Sequence, residues 1–144
     1  MANDIKIIED LLTTEATWAV VGLSTSRHRA AYEVSAFLKD TLGHEIIPIH
    51  PRAEAVHGHE GYRTLADIPD GTTVDVVDFF VNSSKVGTLV DDAIEQHERL
   101  GIKALWLQLG VVDEDAAERA RQAGLAVVMD TCPKIEWPRV AGRR

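Results

Sequence analysis

Short unbroken apolar runs alternate along this chain with longer stretches in which apolar residues return every three or four positions. Ile5, Ile8, Leu11 and Leu12 share one stripe and predict an amphipathic helix over Asp4–Thr13. Trp18-Ala19-Val20-Val21 then runs straight into Gly22, as a strand buried on both faces should. Ala30, Val34, Phe37, Leu38 and Leu42 recur at helical spacing from about His28, and Gly43 supplies the stop. Glu45–Ile49 reads as strand two and Val74–Phe80 as strand three. A helix capped within Asn82–Ser84 continues to Leu100 and ends at Gly101. Lys103–Leu109 is strand four, Asp113 caps a helix through Ala123 to Gly124, and Leu125–Met129 is strand five.

This alternation predicts the α/β class: a single doubly wound, five-stranded parallel sheet of Rossmann type with helices on both faces. Its expected strand order is 3-2-1-4-5, with right-handed crossovers. Residues 53–73 interrupt the pattern. Gly58, Gly61, Pro69 and Gly71 break them up, and Leu65–Ile68 offers one helical turn at most. With no linker, repeat or low-complexity tract, residues 1–144 read as one domain.

Composition narrows the function. The chain carries 15 Lys+Arg against 23 Asp+Glu, a net charge of −8, which argues against nucleic acid as a partner. No apolar run reaches the length of a membrane span, and Met1–Asp10 lacks a signal-peptide core. One cysteine, Cys132, fits a reducing cytoplasm. Within this acidic body stand two basic knots, Arg27-His28-Arg29 with Arg52, and the tail Arg139, Arg143 and Arg144, which reads as a solvated end.

In a doubly wound sheet the ligand sits beyond the carboxyl ends of the strands where the winding reverses, expected here between strands one and four. The residues placed there are Gly22, Leu23 and Ser24, then His50, Pro51 and Arg52, then Phe80, Val81 and Asn82, then Gln108 and Gly110. Gly22 opens a turn into a helix whose first N–H groups attract anions, and Ser24, Thr25 and Ser26 add hydroxyls. Arg27 and Arg29 put cations where they oppose the helix dipole, which favours a nearby phosphate. The tip of strand two carries Arg52 and no acid before Glu54, so it suits a phosphorylated ribose, as in NADP or coenzyme A, over the free 2′-hydroxyl of NAD. The fingerprint G-x-G-x-x-G is absent.

Several blocks in order then carry a resemblance. They are Val21-Gly22-Leu23-Ser24, Arg29 with Tyr32-Glu33-Val34, Ile47 through Arg52, Gly58 with Tyr62, and Leu65 through Pro69. Val74 through Phe80, Trp106 through Val111, and Ala123 through Glu136 complete the set. Together they span about Ile5 to Pro138, and the chain resembles the small stand-alone CoA-binding proteins. Their Rossmann domain is similar to that of the succinyl-CoA synthetase α subunit. The resemblance implies a pyrophosphate on the Gly22–Ser24 turn, helped by Arg29. It also implies adenosine 3′-phosphate near His50-Pro51-Arg52, and an adenine wall at Phe80-Val81-Asn82. The chain departs from the family at His50 (commonly Asn), Arg52 (often Lys), and at Val81 and Thr131, where arginines are usual.

Other residues carry blander readings. His50, His57 and His59 with Glu54 and Glu60 could supply zinc ligands, but a glycine-broken His-Gly-His loop reads as solvated, and no metal is expected. Cys132 reads as packed, and Asp75, Asp78 and Asp130 as strand-end acids bonded to neighbouring loops. Neither a triphosphate loop nor a complete catalytic set is visible. The expectation is a cytoplasmic protein that binds coenzyme A or an acyl-CoA without catalysis of its own. Its protein-level association would be a homodimer or a partner enzyme subunit. The alternatives are an NADP-dependent oxidoreductase and a nucleotide-binding regulatory subunit.

Overall fold

In the computed structural model, which describes residues 3–143, five parallel strands form one sheet. They are β1 (Thr17–Val21), β2 (Glu45–Ile49), β3 (Val76–Phe79), β4 (Ala104–Leu107) and β5 (Ala126–Met129). The helices are α1 (Ile5–Thr13), α2 (Ala30–Asp40), α3 (Ser83–Leu100), α4 (Glu114–Gln122) and α5 (Pro133–Val140). The Asp4 and Asp113 carboxylates cap α1 and α4, and Gly101 ends α3 in the left-handed region at φ 76°. Arg144 of the basic tail lies outside the described residues.

Alternation along the strands sorts the core into two layers. Trp18, Val20, Ile46, Val76, Trp106 and Val128 face α1, α2 and α5, where they meet Ile8, Leu12, Val34, Leu38 and Val140. Ala19, Val21, Ile47, Val77, Phe79, Leu105 and Val127 face α3 and α4, where they meet Val86, Val90, Ala93 and Ala117. The α/β class with helices on both faces is therefore as the pattern implies.

The strand order is β2-β1-β3-β4-β5, not 3-2-1-4-5. The place expected for β3, at the outer edge of β2, is taken by Tyr62. Its N–H donates to the Pro48 carbonyl at 3.0 Å and its carbonyl accepts from the His50 N–H at 3.0 Å. From there the chain crosses the α3 face through a 3₁₀ turn, Leu65–Asp67, burying Leu65 and Ile68 in that layer. Right-handed crossovers on that face carry the chain the opposite way from α2, so β3 lands beside β1. The winding thus reverses between β1 and β3.

Among the described residues, α5 is the one α-helix that the sequence pattern did not predict. Pro133 opens it at a position where a missing N–H costs nothing, and Pro138 lies inside it.

Candidate functional site

At the carboxyl edge of β1 and β3 the backbone closes tightly. The Gly22 N–H donates to the Ile49 carbonyl at 2.8 Å and the Phe80 N–H donates to the Val21 carbonyl at 2.9 Å, so three strand tips are bound together. Gly22 sits at φ 98°, and a Cβ there would strike the Phe80 carbonyl, so the turn requires glycine twice over. Ser24 is buried, and its hydroxyl accepts the Ser26 N–H at 3.2 Å, which folds the chain toward α2. Arg29 is the N-cap of α2 but makes no side-chain cap bond, leaving the first helical N–H groups, at Ala30 and Ala31, on the wall of the site.

That wall belongs to a cleft of about 780 Å³, which spans the tips of β2, β1, β3 and β4. It brings together Gly22, Ser24, Arg29, His50, Pro51, Arg52, Phe80, Val81, Asn82 and Gln108, ten of the residues expected there. Three others lie elsewhere. Leu23 is fully buried in the α1/α2/α5 layer, because the residue after Gly22 turns inward. Arg27 points back over the Tyr32 ring, 5.8 Å from its centroid. Gly110 spends its backbone on loop closure, its N–H donating to Asp130 Oδ1 at 2.8 Å and its carbonyl accepting from Ser83 Oγ at 3.2 Å.

The cleft also holds residues that the sequence did not single out: Arg63 and Thr64 from the β2–β3 crossing, and Lys85, Leu89 and Asp92 from α3. Among the described residues lining it, Arg29, Arg52, Arg63 and Lys85 are cations and Asp92 is the one acid. An acidic protein has concentrated positive charge in this recess, which favours an anionic ligand. Lys85 stands in the first turn of α3 just as Arg29 stands at that of α2, a cation against the helix dipole, and that was the signal available in the sequence.

Arg52 Nε lies 3.6 Å from a Glu54 carboxylate oxygen, and the same carboxylate accepts from the Thr25 hydroxyl at 3.3 Å. This pairing joins the tip of β2 to the turn after β1. His50 Nδ1 accepts the Arg52 N–H at 3.1 Å. Burial first, and then the Arg52 guanidinium, hold the His50 imidazole below its ordinary value.

The remaining histidines of the loop are engaged separately. His57 Nε2 and Ser35 Oγ are hydrogen-bonded at 2.9 Å, and His59 Nδ1 contacts the Glu60 carbonyl at 2.7 Å. Among the described residues no three His, Cys, Asp or Glu side chains are grouped to hold a metal. Cys132 is buried at the N-cap of α5. Of the strand-end acids, Asp75 accepts the Thr17 N–H at 2.9 Å and Asp130 holds Gly110. Asp78 corrects the expectation: it is fully buried mid-sheet, on the Trp106 side, and neither carboxyl oxygen has a partner.

Comparison with known proteins agrees with this architecture. A curated relative, the uncharacterized protein YneT of Bacillus subtilis (strain 168), is 31% identical over 89% of this chain and 90% of its own. A hypothetical protein from Pyrococcus horikoshii OT3 superposes with a TM-score of 0.83 at 32% identity, covering 96% of this chain and 93% of that one. The dinucleotide-forming acetyl-coenzyme A synthetase 1 of Ca. Korarchaeum cryptofilum, in complex with phosphate and ADP, superposes with a TM-score of 0.65 at 25% identity. That match covers 83% of this chain and 26% of the synthetase. The sequence matches the CoA binding domain family over residues 16–138, and the chain belongs to that family.

Proposed function

We propose that the protein binds coenzyme A or an acyl-CoA in the cleft at the β1/β3 switch point and carries out no chemistry on it alone. The observation that carries this reading is the pairing of an uncapped α2 N-terminus with Arg29 and Arg52, inside a family of CoA binding domains. The Gly22–Ser26 turn and the α2 N–H groups suit the pyrophosphate, and Arg29 adds charge beside them. Arg52 suits the ribose 3′-phosphate, while Phe80, Val81 and Asn82 wall the adenine. A cleft of about 780 Å³ is large enough for such a ligand. The absence of catalysis belongs to the same proposal. A unit of this kind matches only about a quarter of the synthetase, 26% of its length, so a partner subunit would supply the chemistry.

Thermal unfolding with added ligand tests the reading. Coenzyme A at 100 times its dissociation constant should stabilise the fold by about 2.7 kcal/mol, and NAD should leave Tm unchanged. Equal shifts with both ligands, or none with either, would count against it. Net synthesis of acyl-CoA from ATP, a carboxylate and coenzyme A by the pure protein would overturn the non-catalytic part.

A further inference from the structure

His50 follows β2 directly, and its polar groups are spent on the turn that leaves the strand. Its N–H donates to the Tyr62 carbonyl at 3.0 Å, and its carbonyl accepts the Ala53 N–H at 2.8 Å, which ties the ends of His50-Pro51-Arg52-Ala53 together. Pro51 supplies the fixed φ that the second position of such a turn favours. His50 Nδ1 accepts the Arg52 N–H at 3.1 Å, the bond an asparagine or aspartate side chain makes two residues on in an Asx-turn. Ala53 is held in the left-handed region at φ 50°, and a Cβ on Gly61 would strike the Glu54 carbonyl. The backbone that carries Arg52 is therefore closely set, while its side chain pairs with Glu54 in the open.

The acceptor that sets this turn is a titratable ring. A backbone N–H can only donate, so Nδ1 must keep its lone pair, and the proton of the neutral ring sits on Nε2. An imidazolium carries hydrogen on both nitrogens and would oppose the Arg52 N–H. Burial acts most strongly on the ring and holds it below its ordinary 6.5. From its own loop Arg52 disfavours the cation and Glu54 favours it, and Arg29 disfavours it from the start of α2. The crossing segment brings Tyr62 to the His50 backbone and Arg63 to the same cleft, which Lys85 and Asp92 line from α3.

We propose that His50 is the positioning residue for Arg52, and that it holds the phosphate-reading turn only while its Nδ1 is unprotonated. The proposal rests on the CoA reading for the phosphate that Arg52 meets. Protonation removes the acceptor and releases the Arg52 backbone from its turn. The charge it adds is one more beside Arg29, Arg52 and Arg63 in a cleft open to salt, so the lost aim outweighs it.

Titration calorimetry on the intact chain would compare the wild type, His50→Asn and His50→Ala, with CoA and dephospho-CoA, between about pH 8 and about pH 5.5. Asparagine offers an acceptor at every pH and so separates the geometry of the turn from its titration. Relative to His50→Asn, the wild type should lose up to about 10-fold in CoA affinity as pH falls, the worth of the Arg52 contact. Taking the ratio cancels protonation of the ligand's own phosphate, which all three proteins share. Dephospho-CoA should show no such relative loss, and His50→Ala should bind CoA weakly already at the alkaline end. Parallel profiles for the wild type and His50→Asn would overturn the proposal, as would a wild type that tightens at low pH relative to that variant. If none of the proteins binds either compound, the CoA reading fails and the free protein decides the role of His50. In NMR spectra the Arg52 amide proton of the wild type should then lose its hydrogen-bonded shift as the His50 ring titrates, and keep it in His50→Asn. An Arg52 amide indifferent to that titration would overturn the positioning role.

Discussion

Gly22 and Phe80 meet at the tip of the sheet so closely that the Phe80 carbonyl occupies the space a side chain on Gly22 would need. The contact joins the first phosphate-type turn to the strand on the far side of the winding reversal. It therefore fixes the width of the cleft floor.

Gly22→Ala should be costly for two reasons that add. The alanine would be held at φ 98°, and its methyl would push β3 away from β1. Left-handed strain and overpacking together predict a loss of about 3 kcal/mol, a fall in Tm of roughly 6–12 °C. Unfolding in urea gives the value. A loss within experimental error would show that the turn relaxes easily and does not set the cleft.

Arg52→Ala should weaken CoA binding by about 10-fold and leave dephospho-CoA nearly unchanged. Charged hydrogen bonds are worth ~1.5–3 kcal/mol, and the low end applies because the side chain is 66% exposed and already paired with Glu54. Salt should shrink the wild-type preference for CoA over dephospho-CoA. Should the substitution reduce both affinities by one factor, Arg52 does not read the 3′-phosphate.

What the sequence revealed and what it hid follow from different physics. Runs such as Trp18–Val21 and Ala104–Leu107 are apolar on both faces, so their burial is written locally. The loops at their ends, with Gly22, His50 and Asn82, then follow from chain order. Strand order is not local. It turned on Tyr62 binding the outer edge of β2, and no feature around Gly61-Tyr62-Arg63 distinguishes an edge contact from an ordinary loop. The same crossing carried Arg63 into the cleft, and helix periodicity placed Lys85 and Asp92 there only once the face of α3 was known. Leu23 was misplaced because neighbouring residues in a tight turn alternate between cleft and core.

Asp78 supplies a prediction about stability. Its side chain is fully buried in β3, and neither oxygen has a hydrogen-bond partner. Burial disfavours the charged form and holds its pKa well above the usual 3.8, so the folded protein keeps the proton more tightly than the unfolded chain does. For such a group the stabilising contribution is fully present below the unfolded value and is lost as pH rises through the folded one. From about pH 4 upward, wild-type stability should therefore fall relative to a variant that cannot ionise at this position. Asp78→Asn is that variant: it keeps the shape and a polar head group but has no proton to lose. Its advantage over the wild type in urea unfolding should grow as pH rises above about 4 and level off once the folded carboxyl has ionised. A difference that is already constant from about pH 4 upward, or one that shrinks, would mean that Asp78 gains a partner for its charge as the protein ionises.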